Sequence, residues 1–577
     1  MNNGDIARIL SEIGAMLEIK GESVFKVRAY ERAAEALRNL PEFVGDVRER
    51  GELRTIRGVG ESIALKVEEL LDTGRLRYYE QLQQEFPRDT LELLRVPGVG
   101  PKTVKVLVEQ AGITTLEQLE VAAQEGQLRA MRGMGEKTEQ EILRGIAQIR
   151  SFGQRATLGE AFALAQEIVD QLRASAPVDQ MEPAGSVRRM KDSIGDIDIL
   201  ATSSQPEKVM DCFVGLGLVS RVIMRGPTKS TVLTHSGLQA DIRVVAPESF
   251  GAALQYFTGS KDHNVALREL AGRQSIKINE YGVFRVKDGA EQRLGGSTEE
   301  EVYAAVGLPY IPPELREDQG EIEAAQQGAL PHPVELSDIR GDLQVHSTWS
   351  DGKSPILEVV RASKALGYAY VAITDHSPAQ AIANGLPVSQ LPLRLAEIEE
   401  VRRAVRGITV LNATEVDITR DGALDYPDEV LQQFDFVIAS VHSGWKMGKA
   451  EMTRRLLRAI ESPWVDAIAH PTGRIIGRRE PYDVDLDAVC RAAAQRGVAM
   501  EINAFPDRLD LKDTHARRAK SLGAKLLIST DAHAADQLPV MRFGVATARR
   551  GWIEAGDVLN TLPLLRFRRA LRRNRKK

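Results

Sequence analysis

The sequence predicts a multidomain chain with three architectures in series: an all-α helix-hairpin-helix region, an α+β domain and a C-terminal α/β distorted (βα) barrel. Three observations predict it. Apolar positions recur at i, i+3 and i+4 through residues 1–155. Strand-like runs with carboxylates two residues apart follow, as in "GDIDIL". From residue 339 onward, buried strands such as "YAYVAITDH" and "KLLISTDAH" alternate with amphipathic helices such as "PILEVVRASKALG". A chain of 577 residues is also too long for one core, and its length suggests about three or four domains.

Composition narrows the class. With 43% hydrophobic and 27% charged residues, the chain has the make-up of a water-soluble protein. Its two cysteines, Cys212 and Cys490, make no disulfide framework and fit a reducing compartment. No apolar run approaches membrane-spanning length, and "MNNGDIARILSEIGAML" reads as an amphipathic helix and not as a targeting peptide. A cytoplasmic monomer without a membrane partner is expected. The net charge of −5 weighs against a simple polyanion binder, yet "RFRRALRRNRKK" at the end holds eight basic side chains and no acid. A solubilising tail and a nucleic-acid contact are equal readings of that segment.

The helical region divides into residues 1–90 and 91–155. One unit recurs in it three times, as "IRGVGESIA", "VPGVGPKTV" and "MRGMGEKTE". Each reads as a tight turn between two helices, with Gly58 and Gly60, Gly98 and Gly100, and Gly133 and Gly135 at the bend. Glycine permits positive φ and close backbone approach, and the second helix offers free N–H groups to a phosphate oxygen. Basic residues such as Lys102 follow the turns. The competing reading is three helix C-caps in a repeat protein. Three copies favour DNA clamps that contact the backbone without reading bases.

In the α+β region, 156–250 and 251–315, Asp196 and Asp198 fall on one face of a strand, with Ile197 and Ile199 on the other. Asp241 lies on a strand that follows a probable turn at "HSG", and alternation sets Arg243 beside it. Three converging carboxylates need cations to stay ionised, and hard oxygen ligands select Mg²⁺ or Mn²⁺. Two such ions suit in-line displacement at phosphorus. Asp196 and Asp198 would bridge the ions, and Asp241 would hold one of them and orient or deprotonate the attacking hydroxyl. Gly185, Ser186, Arg189 and Gly195 would meet a triphosphate.

Residues 316–338 lack periodicity, are rich in Pro, Gln and Glu, and read as a flexible linker. Beyond them, in 339–577, five histidines occupy strand ends: His346, His376, His442, His470 and His533. Asp351, Glu415 and Asp531 fall at comparable places. A lone strand-end histidine is usually structural. Eight ligand-type side chains over successive βα units read as a polynuclear site for Mn²⁺ or Zn²⁺, suited to phosphodiester hydrolysis.

Together "GSVRR", "GDIDIL" and "ADIRVV" resemble the palm of a family X DNA polymerase, the group that includes DNA polymerase beta. The likeness runs from the N-terminus to about residue 315. It implies a nucleotidyltransferase palm at 156–250, a nucleotide-selecting subdomain at 251–315 and a lyase-like N-terminal domain. The expected partners are gapped or primer-template DNA and deoxynucleoside triphosphates. In "YFTGSKDHNVALRELA" it implies that Tyr256 and Phe257 face the incoming sugar, Tyr256 gates against a 2′-hydroxyl, and Gly259 lies in the same segment. Asn264 and Arg268 would contact the nascent pair and template, although "KDH" departs from the animal enzymes. Lys66 and Lys26 match lyase lysines, with Ser62 where the family keeps another; phosphate binding is the favoured role. "GDLQVHSTWSDG", "ITDHS", "TEVD", "SVHSG", "AHPTG" and "TDAH" resemble the polymerase-and-histidinol-phosphatase (PHP) domain. Gln344 departs from that pattern, which starts with two histidines, and the substitution predicts weak metal retention or a preference for Mn²⁺. The resemblances imply gap filling in DNA repair with a Mn²⁺-dependent 3′–5′ exonuclease or 3′-end phosphoesterase. The alternatives are a structural PHP domain or an RNA-end nucleotidyltransferase.

Overall fold

The computed structural model describes residues 3–38, 44–56, 58–96, 99–131, 134–152 and 155–571. It forms two compact units, 1–153 and 154–577.

The first unit is helical throughout its described residues, with Asn3–Lys20, Val24–Arg38, Glu61–Thr73, Pro101–Ala111 and Glu136–Phe152 as its longest helices. Leu10, Val67, Leu107 and Ile142 belong to one continuous core. Gly98 and Gly133 lie outside the described residues. The second glycine of each repeated unit stands directly before a helix: Gly60 caps Glu61–Thr73, Gly100 caps Pro101–Ala111, and Gly135 precedes Glu136. The helix C-caps are other glycines, Gly74 and Gly112, both in the left-handed conformation. Gly58 also has positive φ, at +89°, within its turn.

The second unit begins with a five-stranded mixed sheet in the order Gln180–Pro183, Asp196–Thr202, Gln239–Val245, Lys229–Thr234, Val219–Arg225. The expected hairpin forms, with Lys229–Thr234 antiparallel to Gln239–Val245. Its second strand then lies parallel to Asp196–Thr202, which puts Asp241 opposite Asp198. Ile197, Ile199, Ala240 and Ile242 face the core, so the pleat leaves the carboxylates on the other side. Helices Phe250–Thr258 and Lys261–Gly272 follow. A three-stranded antiparallel meander and the helix Glu299–Ala305 then pack around Leu267, Ile278 and Val302.

Residues 316–338 are not a flexible linker. Arg316, Glu321 and Val334 are fully buried, and Glu321–Gln326 is a helix. The segment folds because its charges find partners: Arg316 donates to Glu299 at 2.6 Å, and Glu321 lies 2.6 Å from His263 Nδ1. The barrel packs directly on the palm. Leu509 and Phe543 enter the core of the first sheet, and Phe162 meets Phe543 edge-on at 5.6 Å. At Gly159 a Cβ would collide with Pro506 Cβ at 2.6 Å, so the two surfaces touch where glycine leaves no side chain.

The barrel has seven parallel strands whose spatial order follows the chain, from Gly341–Val345 to Leu526–Ser529. A parallel bridge between Val345 and Ala532 brings its first and last elements together. Most crossovers carry a helix, as in Ile356–Ala365 and Leu391–Ala404. Of the basic C-terminal segment, Leu564–Ala570 is helical, and 572–577 lie outside the described residues.

Candidate active sites

Asp196 and Asp198 open onto a cavity of about 490 Å³, and Asp241, opposite Asp198 on the neighbouring strand, is not among its lining residues. Gly185, Ser186, Arg189, Gly195, Asp196, Asp198, Tyr256, Phe257, Gly259, Asn264 and Arg268 all line it, together with Arg155, Lys191 and Lys261. Asp198 is largely buried. Burial first, then the charges of Asp196 and Asp241, push its carboxyl up to about 6 against the pull of Arg243 and Lys229. Asp241 accepts hydrogen bonds from Thr231 Oγ1 and, at 2.8 Å, from Gln239 Nε2. Gly185 has a φ of +61°, and a Cβ there would strike Asp198 Oδ2 at 2.6 Å. The Gly-Ser turn is therefore a glycine turn for two reasons.

Several residues in and beside the cavity already have partners. Arg188, which does not line the cavity, pairs with Glu299 at 2.6 Å. Arg189 Nε donates to Glu317 at 2.9 Å and its Nη1 to the Thr258 carbonyl. Asn264 donates to the Tyr256 carbonyl at 2.7 Å and accepts from Gln255, so it braces the backbone under Tyr256. Arg268 Nε donates to the Asn264 carbonyl at 3.1 Å. Tyr256 and Phe257 meet edge to face at 5.2 Å. Arg243, expected at DNA, has its guanidinium over the Phe257 ring at 4.7 Å.

In the helical unit, Lys66 Nζ lies 2.9 Å from Ser62 Oγ and 5.1 Å from the Tyr78 ring centroid. Burial lowers its ammonium below the ordinary range. Lys26 pairs with Glu22 at 3.1 Å, and that hydrogen bond raises it.

In the barrel every histidine of the expected set follows a strand, and Glu415 lies within Thr409–Asp417. The side chains converge in three overlapping groups: His346, Asp351, His376 and His533; His376, Glu415 and His442; and His346, Glu415 and Asp531. His470 Nε2 is 3.1 Å from Glu415. The His346 ring stacks between His376 and His533, with centroids 4.5 and 4.3 Å away. His470 and Asp531 both adopt positive φ, a conformation that is costly for them and concentrates at functional sites.

The site fits divalent ions. His346 Nδ1, His376 Nδ1, His470 Nδ1, Asp351 Oδ1 and Gln344 Oε1 are buried and make no hydrogen bond. So many orphaned acceptors in one cluster call for cations. The electrostatics agree. Burial opposes charge on Glu415, but the surrounding imidazoles hold its carboxyl well below the usual range. His442 is raised to about 9 against burial, by Glu415 and Asp417, whereas burial lowers His376 to about 4.

Sequence reasoning missed part of this centre. Asp417 Oδ1 is 2.9 Å from His442 Nδ1, Asn503 donates to Asp531 at 3.0 Å, and Arg508 Nε lies 3.6 Å from Asp531. Glu501 accepts from the His470 backbone N–H. Alternation was the available signal: Asp417 follows Glu415 by two, and Asn503 follows Glu501 by two.

Comparison with known proteins is consistent with this anatomy. Residues 1–76 match a family described as helix-hairpin-helix domain, and 90–148 one described as SAM-like helix-hairpin-helix tandem. Residues 253–317 match DNA polymerase beta thumb, and 342–505 match PHP domain. DNA polymerase lambda of Rattus norvegicus is 27% identical over 342 residues, 55% of this chain and 56% of that one. A probable phosphatase of Shewanella oneidensis is 32% identical over 207 residues, 34% of this chain and 77% of that one. The DNA polymerase/3′-5′ exonuclease PolX of Bacillus subtilis is 37% identical over 576 residues and covers 100% of both chains. Similarity of that extent, over helical hairpins, palm and barrel alike, makes this chain a member of the bacterial family X DNA polymerases that carry a PHP domain.

Proposed function

We propose that the palm adds deoxynucleotides to a primer end in gapped DNA by two-metal nucleotidyl transfer. We further propose that the barrel removes residues or blocking groups from 3′ ends, as a Mn²⁺-favoured exonuclease or phosphoesterase. The observation that carries the first reading is the pair Asp196 and Asp198 on the wall of the cavity, with Asp241 opposite Asp198 on the next strand. Mg²⁺ or Mn²⁺ held there would supply charge stabilisation at the reacting phosphate. Asp241 would orient the attacking hydroxyl, with Arg189, Lys191 and the Ser186 turn meeting the triphosphate. Tyr256 and Phe257 would form the sugar-side wall, and Asn264 would fix Tyr256 through its backbone. The hairpin glycines Gly58, Gly60, Gly98, Gly100, Gly133 and Gly135, with Lys102, would hold the duplex by its phosphates.

For the barrel, the support is the set of orphaned acceptors around Glu415 and the name of the full-length relative. Mn²⁺ or Zn²⁺ bound by the eight ligands would activate water and neutralise the phosphodiester. Lys66, lowered by burial, is the better of the two lysines for a lyase step, and Lys26 suits phosphate binding. Among the described residues no helix is long and apolar enough to cross a membrane. We place the protein in the cytoplasm as a monomer.

Paired variants test both readings. On gapped DNA, Asp198→Ala should abolish extension and leave DNA affinity and degradation intact. His442→Ala should do the reverse, with a loss of degradation beyond the roughly 10–100-fold that an outer partner costs. Extension at the wild-type rate by Asp198→Ala would refute the palm site. Degradation that survives His442→Ala and vanishes with Asp198→Ala would refute the barrel site.

A further inference from the structure

The palm loop that carries Arg189 and Lys191 is held from outside by the barrel. Arg550 ends the helix Met541–Arg550 and is almost wholly buried. Its Nε and Nη2 donate to Asp513 Oδ2 at 2.9 and 2.7 Å. Its Nη1 crosses to the palm, donating to the Arg189 carbonyl at 2.8 Å and to Glu317 Oε1 at 3.0 Å. The same Glu317 oxygen accepts from Arg189 Nε at 2.9 Å, and Lys191 Nζ lies 3.6 Å from its other oxygen. A second barrel arginine grips the end of the loop: Arg474 Nη1 donates to Asp192 at 2.9 Å. Arg189 and Lys191 line the palm cavity, whereas Arg550 does not.

We propose that Arg550 is a positioning residue for nucleotide binding, through which the barrel sets the affinity of the palm for the triphosphate. This rests on the cavity being the nucleotide site. Two effects act together. The bond to the Arg189 carbonyl fixes the loop backbone. The charge of Arg550 also shares Glu317, which would otherwise be balanced by Arg189 and Lys191 alone. Burial opposes charge on Glu317, but Arg550, Arg189 and Lys191 hold its carboxyl below the usual range. Without Arg550, that carboxylate draws both palm cations to itself and away from an incoming triphosphate.

Steady-state incorporation on gapped DNA by the full chain tests this. Arg550→Ala should raise KM for deoxynucleotide about tenfold and leave kcat within about twofold, the scale on which members of one ion-pair network couple. Degradation of single-stranded DNA should not change. Adding Glu317→Gln to Arg550→Ala should recover most of the lost affinity, because the neutral amide no longer competes for the two cations. A merely structural arginine would show no such rescue. The proposal is overturned by a wild-type KM in folded Arg550→Ala, by equal losses in synthesis and degradation, or by a double variant no better than the single. If Asp198→Ala still extends primers, the cavity itself was misread. If Asp198→Ala is dead and Arg550→Ala has a wild-type KM, only the role of Arg550 fails.

Discussion

Gln344 is the residue at which the proposed metal centre is most open to tuning by a single side chain. It is fully buried, its Oε1 makes no hydrogen bond, and its Nε2 reaches Asp531 Oδ1 at 3.4 Å. The amide therefore stands beside the candidate ligand Asp531 and, in the proposed centre, would offer a neutral, hard oxygen where imidazole would suit Zn²⁺ better. Gln344→His should tighten metal retention about tenfold, on the scale of ligand-sphere changes, and shift selectivity from Mn²⁺ toward Zn²⁺. Metal content after dialysis against mixed ions reads this directly, and an unchanged ratio would count against Gln344 as a metal-facing residue. The eight candidate ligands stood out in the sequence because they sit in short polar motifs within or shortly after apolar strands, Glu415 inside Thr409–Asp417. Glu501 and Asn503 were passed over although they stand two apart, because the strand Ala499–Asn503 that carries them is otherwise apolar. Arg550 was beyond reach for another reason: its contact with Arg189 spans 361 positions, and a single arginine at a helix end carries no signal of its partner.

For the helix-hairpin-helix elements, the informative feature is unused space. Among the described residues, Gly60, Gly100 and Gly135 have no atom within 4 Å of where a Cβ would stand. Gly60 and Gly100 have ordinary extended backbones that any residue can adopt. Among the described residues nothing demands glycine at these positions, whereas in the proposed DNA contact a phosphate drawn against the first N–H groups of a helix would need that space. Gly100→Val should accordingly leave thermal stability near wild type and weaken DNA binding equally on every sequence. The salt dependence of binding should lose about one phosphate contact. Titrations at several salt concentrations measure this, and an unaltered slope would return Gly100 to a purely structural role. The palm strands were readable for a related reason. Alternating Asp and Ile fixes which face is buried, and a slip of one residue would put Asp198 into the core. That the strand of Asp241 lies parallel to that of Asp198 depends on the order of the sheet, which alternation does not encode.

Across the whole molecule, composition misled where burial is ionic. Pro, Gln and Glu in 316–338 look solvated, yet the fold seats Arg316 against Glu299 and Glu321 against His263, partners 17 and 58 residues away. Limited proteolysis should therefore release no separate barrel starting within this segment. Mass spectrometry of a tryptic time course would show it, and a stable fragment beginning between 316 and 338 would contradict the packing described. A truncation after residue 338 should aggregate, because it strips Phe543 and Leu509 from the core of the palm. The bare backbone of Gly159 against Pro506 then has a consequence for inheritance. Two enzymes fused by a tether can be lost one at a time, whereas two that share a core descend together. The rim of the barrel answers to degradation, but its walls answer to synthesis. A change at the rim would then alter degradation alone, while the need to copy DNA keeps the walls intact.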